Sequence, residues 1–267
     1  MATPVDPLAQ LRAALPAAYT LDGHLSSGGQ GSVFRGRVSG TLAAVKVYSA
    51  TSDPRRIERE LSALRAIDCP HLVKVLDTVS IDIGGNRHEV VAYEFLDGHD
   101  LTALAQPGAS RPDLAALRSV GEQVAIAVEQ LWLKRIVHRD IKPANIMQTV
   151  TRNVLVDVGF AKHLDRSMLT VAGNPGTPGF MSPEQFGGRR NLTNRSDIYS
   201  LGLTLYVLAA GQHPFGFNQA RIGRVPFASL ATHRTDLPAA FCALVDSMLN
   251  PIPHLRPDHL SQRFGHL

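Results

Sequence analysis

The sequence predicts an α+β protein in two lobes, a small β-rich first lobe with one key helix and a larger α-helical second lobe. Three observations carry this. The 267 residues are 44% hydrophobic, enough for a substantial core. Short β-branched and apolar runs punctuated by glycine fill the stretch from Tyr19 to about Phe95. From Asp97 onward long helical periodicities take over.

The elements follow in order. Residues 7–16 read as a short amphipathic helix with Leu8, Leu11 and Leu15 on one face. "YTLDGHL", "SVFRGRV" and "TLAAVKVY" read as three strands separated by Gly-bearing turns. A helix follows from Asp53, which can cap it, to about Ile67. "LVKVLDTVSI" and "HEVVAYEF" read as two more strands joined by the turn "GGN". Then "RPDLAALRSVGEQVAIAVEQLWLKR" is a long amphipathic helix, and 196–210 is apolar nearly all round, so it is expected to be buried. The boundaries are an extension at 1–18, a first lobe at 19–96 and a second at 97–267, with a hinge near Phe95–Gly98.

Charge and cysteine content exclude several classes. The formal net charge of +4 suits anionic ligands such as nucleotides, but no recognition motif or basic stripe argues for nucleic acid. Cys69 and Cys242 lie too far apart for a zinc motif, and no disulfide framework is visible, so a reducing cytoplasm is the expected location. The N-terminus lacks the basic-then-apolar pattern of a secretory leader. The most apolar window, 198–211, is shorter than the ~20 residues a membrane span needs.

Three stretches carry chemistry. "SSGGQGSVF" (26–34) places Gly28, Gly29 and Gly31 between strands, where backbone amides can approach phosphate oxygens without Cβ obstruction; alone, such a stretch is more often only a turn. Lys46 sits in the apolar strand "AAVKVY", so its ammonium needs an anion unless it reaches solvent from an edge strand. Glu60, three residues after Ile57 and four before Leu64, shares their inward face; together Lys46 and Glu60 predict a buried ion pair. The third stretch, "IVHRDIKPANIM" (136–147), holds an acid, a cation and an amide around a proline, inside apolar flanks.

"HRDIKPAN" and the later "LVDVGFAK" resemble the catalytic loop and the metal motif of eukaryotic-type (Hanks-type) Ser/Thr protein kinases. The resemblance covers about residues 19–260 and implies the bilobal kinase fold, one catalytic domain overall. It implies ATP as phosphoryl donor, with Mg²⁺, or Mn²⁺ in its place. Asp140 would orient the substrate hydroxyl and accept its proton, Lys142 would neutralise the γ-phosphoryl, and Asn145 and Asp157 would hold the metal. Lys46 and Glu60 resemble the phosphate-binding lysine and its helix glutamate.

By the same resemblance Tyr93 is the gatekeeper, and Glu94–Leu96 (Glu94 and Leu96 included) form the hinge whose backbone bonds adenine. Val33, Ala44 and Met147 sandwich the ring, and Ser26, in place of the usual first glycine, begins the phosphate loop. "GTPGFMSPE" (176–184) resembles the end of the activation segment, with Thr177 against Asp140 and Lys142, and Glu184 paired with Arg256. Asp197 would hold the catalytic-loop backbone, although a plain helix-start acid explains it equally well.

Lys142 with Thr177 is the pattern of Ser/Thr-directed members, so the implied partner is a protein substrate. Pairing of two copies through the first lobe's back face is a further implication. Val158 stands where the family carries Phe, which implies softer packing under the helix of Glu60. Thr170 and Ser167 are candidate phosphosites, with Arg139 and Lys162 as the cations that would bind the phosphate.

A nucleotide-binding pseudokinase is the alternative, disfavoured because Lys46, Glu60, Asp140, Asn145 and Asp157 are all present. A small-molecule phosphotransferase is less favoured still, since such enzymes typically lack the Lys142-Pro143 pair and the "SPE" segment. Because the chain stops soon after "LRPD", no sensor or docking domain is expected, and the Arg- and Ala-rich composition resembles a free-standing bacterial enzyme.

Overall fold

The computed structural model describes residues 7–28, 31–51, 54–157, 179–189 and 191–267; the side chains of residues 7, 54–56, 59–60 and 63 stand outside that description. The chain divides into two compact units. One comprises residues 1–66 and 73–97, the other 67–72 and 98–267.

The first unit is an antiparallel sheet with two helices, α1 (Pro7–Ala14) and α2 (Pro54–Arg65). Strands β1 (Tyr19–Gly28), β2 (Gly31–Val38), β3 (Thr41–Tyr48), β4 (Val75–Ile83) and β5 (Asn86–Glu94) take the order β1-β2-β3-β5-β4. These are the strands and helices expected for residues 7–95. Period-2 alternation sends Phe34, Val45, Val47, Val90 and Ala92 to one face, where they are buried with Leu11 and Leu15. Leu8 packs against the same cluster, so the leucine face of α1 closes this side of the sheet.

The second unit is mostly helical. Asp113 caps α3 (Leu114–Leu133), its carboxylate accepting the Ala116 N–H at 2.8 Å. Helix α4 (Pro183–Phe186) is capped by Ser182, and α5 (Asn194–Ala210) by Thr193. Helices α6 (Ala239–Met248) and α7 (Leu260–Gly265) follow. Every residue of α5 from Ser196 to Ala209 is buried, the all-round burial its composition calls for.

The helical reading from Asp97 onward is incomplete. A three-stranded antiparallel sheet, β6 (Gly98–Asp100), β7 (Ile146–Thr149) and β8 (Asn153–Leu155), lies within this unit. Strands of three or four residues are too short to give a periodic signal. Nor is the first unit continuous in sequence. His71 O accepts the Leu155 N–H at 2.9 Å, His71 Nδ1 meets Asn153 O at 3.1 Å, and Pro70 O accepts from Arg152 Nη1 at 2.5 Å. These bonds tie Ile67–Leu72 to the edge of β8. Among the described residues no helix is long and apolar enough to cross a membrane.

Candidate active site

In the first unit the strand register assembles one group of predicted residues. Val33 lies opposite Lys46 across β2 and β3, and Ala44 lies opposite Tyr93 across β3 and β5. Ala44 and Lys46 are two residues apart, so Val33, Ala44, Lys46 and Tyr93 share the sheet face opposite to the Phe34–Val45–Ala92 core. Sheet order makes β3 a central strand, which excludes the edge-strand explanation of Lys46; the residue is only 8% exposed.

Tyr48, two residues on, sits on that face too. Its ring lies 4.9 Å from the Lys46 ammonium, and its hydroxyl meets the Tyr93 hydroxyl at 3.2 Å. Sequence reasoning missed Tyr48, which reads as one more β-favouring aromatic. Glu60 falls on α2, between the buried Ile57, Leu61 and Leu64, but its side chain and the predicted pair with Lys46 lie outside the described residues.

Ser26 and Gly28 extend β1, opposite Val33 and Gly31. Gly31 has φ +139°, and a Cβ there would stand 1.9 Å from Val47 O, so the sheet itself demands this glycine. Gly29 is outside the described residues. The Glu94 N–H is committed to Lys74 O at 2.9 Å, so any hold of Glu94 on adenine falls to its carbonyl. Leu96 follows β5, half-buried.

The second unit contains the other group. Pro143 opens a 3-10 turn, Pro143–Asn145, that brings Asn145 back onto Asp140. Asn145 Nδ2 donates to Asp140 O at 2.7 Å and to Asp140 Oδ2 at 2.8 Å. Lys142 Nζ stands 3.1 Å from the same Oδ2. All three side chains are buried. The Val156 N–H donates to Asn145 O at 2.9 Å, which sets Asp157 beside the loop. Met147 is on β7, opposite Val154.

Arg139 and Asp157 both have positive φ, +69° and +56°. Such backbone is uncommon for residues with a Cβ, and here it falls on both loops of the constellation. Asp197 holds one of them. Its Oδ2 accepts the His138 N–H at 2.8 Å and its Oδ1 accepts the Arg139 N–H at 2.9 Å, and the residue is at the same time the acid in the first turn of α5. Burial pushes its pKa up to about 7, although the two backbone N–H groups pull the other way.

His138 is a further residue that sequence reasoning passed over. Its Nδ1 faces the Asp140 N–H at 3.3 Å, which makes it the acceptor. The Nε2 nitrogen, 3.1 Å from Val156 O, is then the protonated one. The ring thus ties the Asp140 loop to the residue before Asp157. Gln185 Nε2 adds a bond to Arg139 O at 2.7 Å.

Glu184 and Arg256 form a bidentate pair, with Nη1 to Oε1 at 2.6 Å and Nη2 to Oε2 at 2.8 Å. Ser196 Oγ also donates to Oε1, at 2.7 Å. Burial opposes the charge, but the guanidinium and hydroxyl outweigh it and hold the Glu184 carboxyl below its usual range. Thr177, Val158, Lys162, Ser167 and Thr170 all fall in 158–178, outside the described residues.

Among the described residues no group of three or more His, Cys, Asp or Glu side chains gathers to hold a metal ion, and the oxygen donors at this loop are those of Asn145 and Asp157. Both Asn145 N–H bonds point at Asp140, which turns the amide oxygen elsewhere, and Asp157 supplies a carboxylate; such hard donors suit a divalent cation of the magnesium type.

Comparison with known proteins agrees with this geometry. Residues 19–264 match the family described as protein kinase domain, and the chain belongs to that family. It is 33% identical over 232 residues to a probable serine/threonine-protein kinase of Corynebacterium efficiens, covering 82% of this chain and 34% of that one. It is 36% identical over 223 residues to the serine/threonine-protein kinase Pkn1 of Myxococcus xanthus, covering 79% and 31%. The chain thus spans well under half the length of these curated relatives. The solved PknI kinase domain of Mycobacterium tuberculosis superposes with a TM-score of 0.74 at 25% identity, over 94% of each chain. The bacterial Hanks-type relationship and the bilobal α+β kinase fold follow, and with the family comes the general use of ATP and a divalent metal.

Proposed function

We propose that this chain is an ATP-dependent protein kinase domain that transfers the γ-phosphoryl group to Ser or Thr hydroxyls of a protein. The single observation that carries the reading is the Asp140 carboxylate, gripped by Lys142 and Asn145 in a loop whose backbone Asp197 fastens.

Phosphoryl transfer needs positioning and charge neutralisation more than covalent chemistry. Asp140 orients the acceptor hydroxyl and takes its proton. Lys142, already 3.1 Å from Asp140, balances charge on the group in transfer. Asn145 and Asp157 would hold Mg²⁺, or Mn²⁺ in its place, which would supply neutralisation of the phosphate charge. In the first unit Lys46 binds phosphate with Glu60 as its partner, and Ser26, Gly28, Gly29 and Gly31 shape the phosphate loop. Val33 and Ala44 pack on adenine, beside Tyr93 and the Glu94–Leu96 backbone; Met147, in the second unit, is assigned to adenine by the family resemblance alone. Thr177 steadies Asp140 and Lys142, and Thr170 or Ser167 receives phosphate in autophosphorylation.

The test is transfer of label from radiolabelled ATP·Mg²⁺ to the protein itself and to an added generic protein. Label appears on Ser or Thr in the wild type and falls at least 100-fold in Asp140→Asn. Equal labelling of both proteins would remove Asp140 from the mechanism.

A further inference from the structure

Upstream of α4, three residues that the sequence reading left without roles are held by the turn after α5. Gly179 O receives a hydrogen bond from His213 Nε2 at 2.8 Å. The Gly179 N–H donates to Gln219 Oε1 at 3.1 Å, and Gln219 Nε2 donates to Met181 O at 3.0 Å. His213 Nδ1 accepts from the Phe215 and Phe217 N–H groups at 3.1 and 3.0 Å, so its proton sits on Nε2. Burial pushes its pKa down to about 4, consistent with a neutral ring.

The packing is equally specific. Phe180 is buried edge-on against the rings of His213 and Phe217, both at 5.9 Å. Gly179 has φ +114°, and a Cβ there would lie 3.0 Å from the Phe217 ring. Phe217 itself is 44% exposed, leaving an apolar surface beside Gly179. A few residues downstream, Gln185 bonds Arg139 O, so the segment 179–185 is anchored directly to the loop of Asp140. A polypeptide delivering a hydroxyl to Asp140 comes to the loop on which this segment is fastened.

We infer that His213 and Gln219 are positioning residues for protein substrate: by fixing Gly179–Met181 they set affinity for the polypeptide and not for ATP. The inference rests on the kinase reading above. Neither side chain acts on the reacting atoms. His213 supplies a donor and Gln219 both a donor and an acceptor, so the N–H and carbonyl of Gly179 and the carbonyl of Met181 are all engaged.

Steady-state kinetics test it, with dephosphorylated casein and histone as separate protein substrates. The proteins are wild type, His213→Phe, Gln219→Leu and Gln219→Glu, each checked for its melting temperature. In His213→Phe and Gln219→Leu the KM for the protein substrate rises at least fivefold, while the KM for ATP and the slow ATP hydrolysis without protein stay within twofold. Gln219→Glu keeps the acceptor for the Gly179 N–H and falls between wild type and Gln219→Leu. If His213→Phe does not fold, the two Gln219 variants decide. Unchanged KM for protein, or KM values for protein and ATP that rise together, overturns the inference while the kinase reading stands. A wild type that labels neither these proteins nor itself overturns the kinase reading and this inference with it, and one that labels only itself overturns the inference alone.

Discussion

At the scale of single residues, Asp197 makes the strongest statement. A fully buried carboxylate is expensive, and its two backbone N–H partners show what the expense secures: the shape of residues 138–139. The sign of its pH effect can be worked out. Its folded pKa of about 7 lies above the ordinary aspartate value, so its contribution to stability is full below about pH 4 and is lost as pH rises through 7. Function runs the other way, because protonation removes one of the two acceptors. The rate of phosphate transfer should therefore show an acid limb near pH 7 with no matching loss of melting temperature. In Asp197→Asn the limb should vanish, and the plateau should fall by about tenfold or more, the worth of one hydrogen bond to a charged group. A limb that survives unchanged in the variant would assign it to another group.

Tyr48 belongs at this scale too. If its ring helps to hold the Lys46 ammonium, Tyr48→Phe keeps that contact and changes the KM for ATP less than twofold, whereas Tyr48→Leu raises it severalfold. Equal effects of the two variants would assign the role to the hydroxyl shared with Tyr93.

Among the elements, the pair of α4 with the Arg256 turn and the β2–β3 ladder each hinge on one choice. Arg256 donates to both Glu184 oxygens and is 2% exposed, so Arg256→Met leaves a buried carboxylate without its cation. Thermal unfolding should show a loss of about 3–5 kcal/mol. The Glu184 carboxyl is held low, so its contribution is present above the ordinary glutamate pKa and is lost only as pH falls through the depressed value. Double replacement with two apolar residues should recover part of the loss; failure to do so would mean that the pair stabilises the fold outright. For the ladder, Gly31→Ala puts a methyl against Val47 O and should lower stability by roughly 2 kcal/mol or more. Unchanged stability there would mean that β2 can shift off β3.

Helix α1 shows how much of an element is legible from pattern alone. Leu8, Leu11 and Leu15 recur at helical spacing, and the structure lays them on the sheet core. Strand alternation is similarly readable across Thr41–Tyr48, where Ala43, Val45 and Val47 are buried on the core face, and Lys46 on the other. The short strands β6, β7 and β8 were not, because three residues carry no period.

Over the whole molecule, the motifs reveal the residues proposed to do chemistry better than those that hold them. Asp140, Lys142 and Asn145 lie within six positions, and their mutual contacts follow from one tight turn. Asp197 is 58 and 59 residues from its partners, Gln185 is 46 from Arg139, and His213 is 34 from Gly179. Separations of that size leave no local signal; only the fold brings such groups together. The same holds for Ile67–Leu72, which follow α2 in sequence and pair with β8 in space.

The central claim is that Asp140 makes this chain a working phosphoryl transferase. The most direct measurement compares wild type with Asp140→Asn for label transferred from radiolabelled ATP·Mg²⁺, alongside the melting temperature of each with and without ATP. The account predicts Ser/Thr labelling by the wild type, its loss in the variant, and the same ATP-induced shift in melting temperature for both. A wild type that binds ATP yet transfers nothing would contradict it and leave a nucleotide-binding module in place of an enzyme.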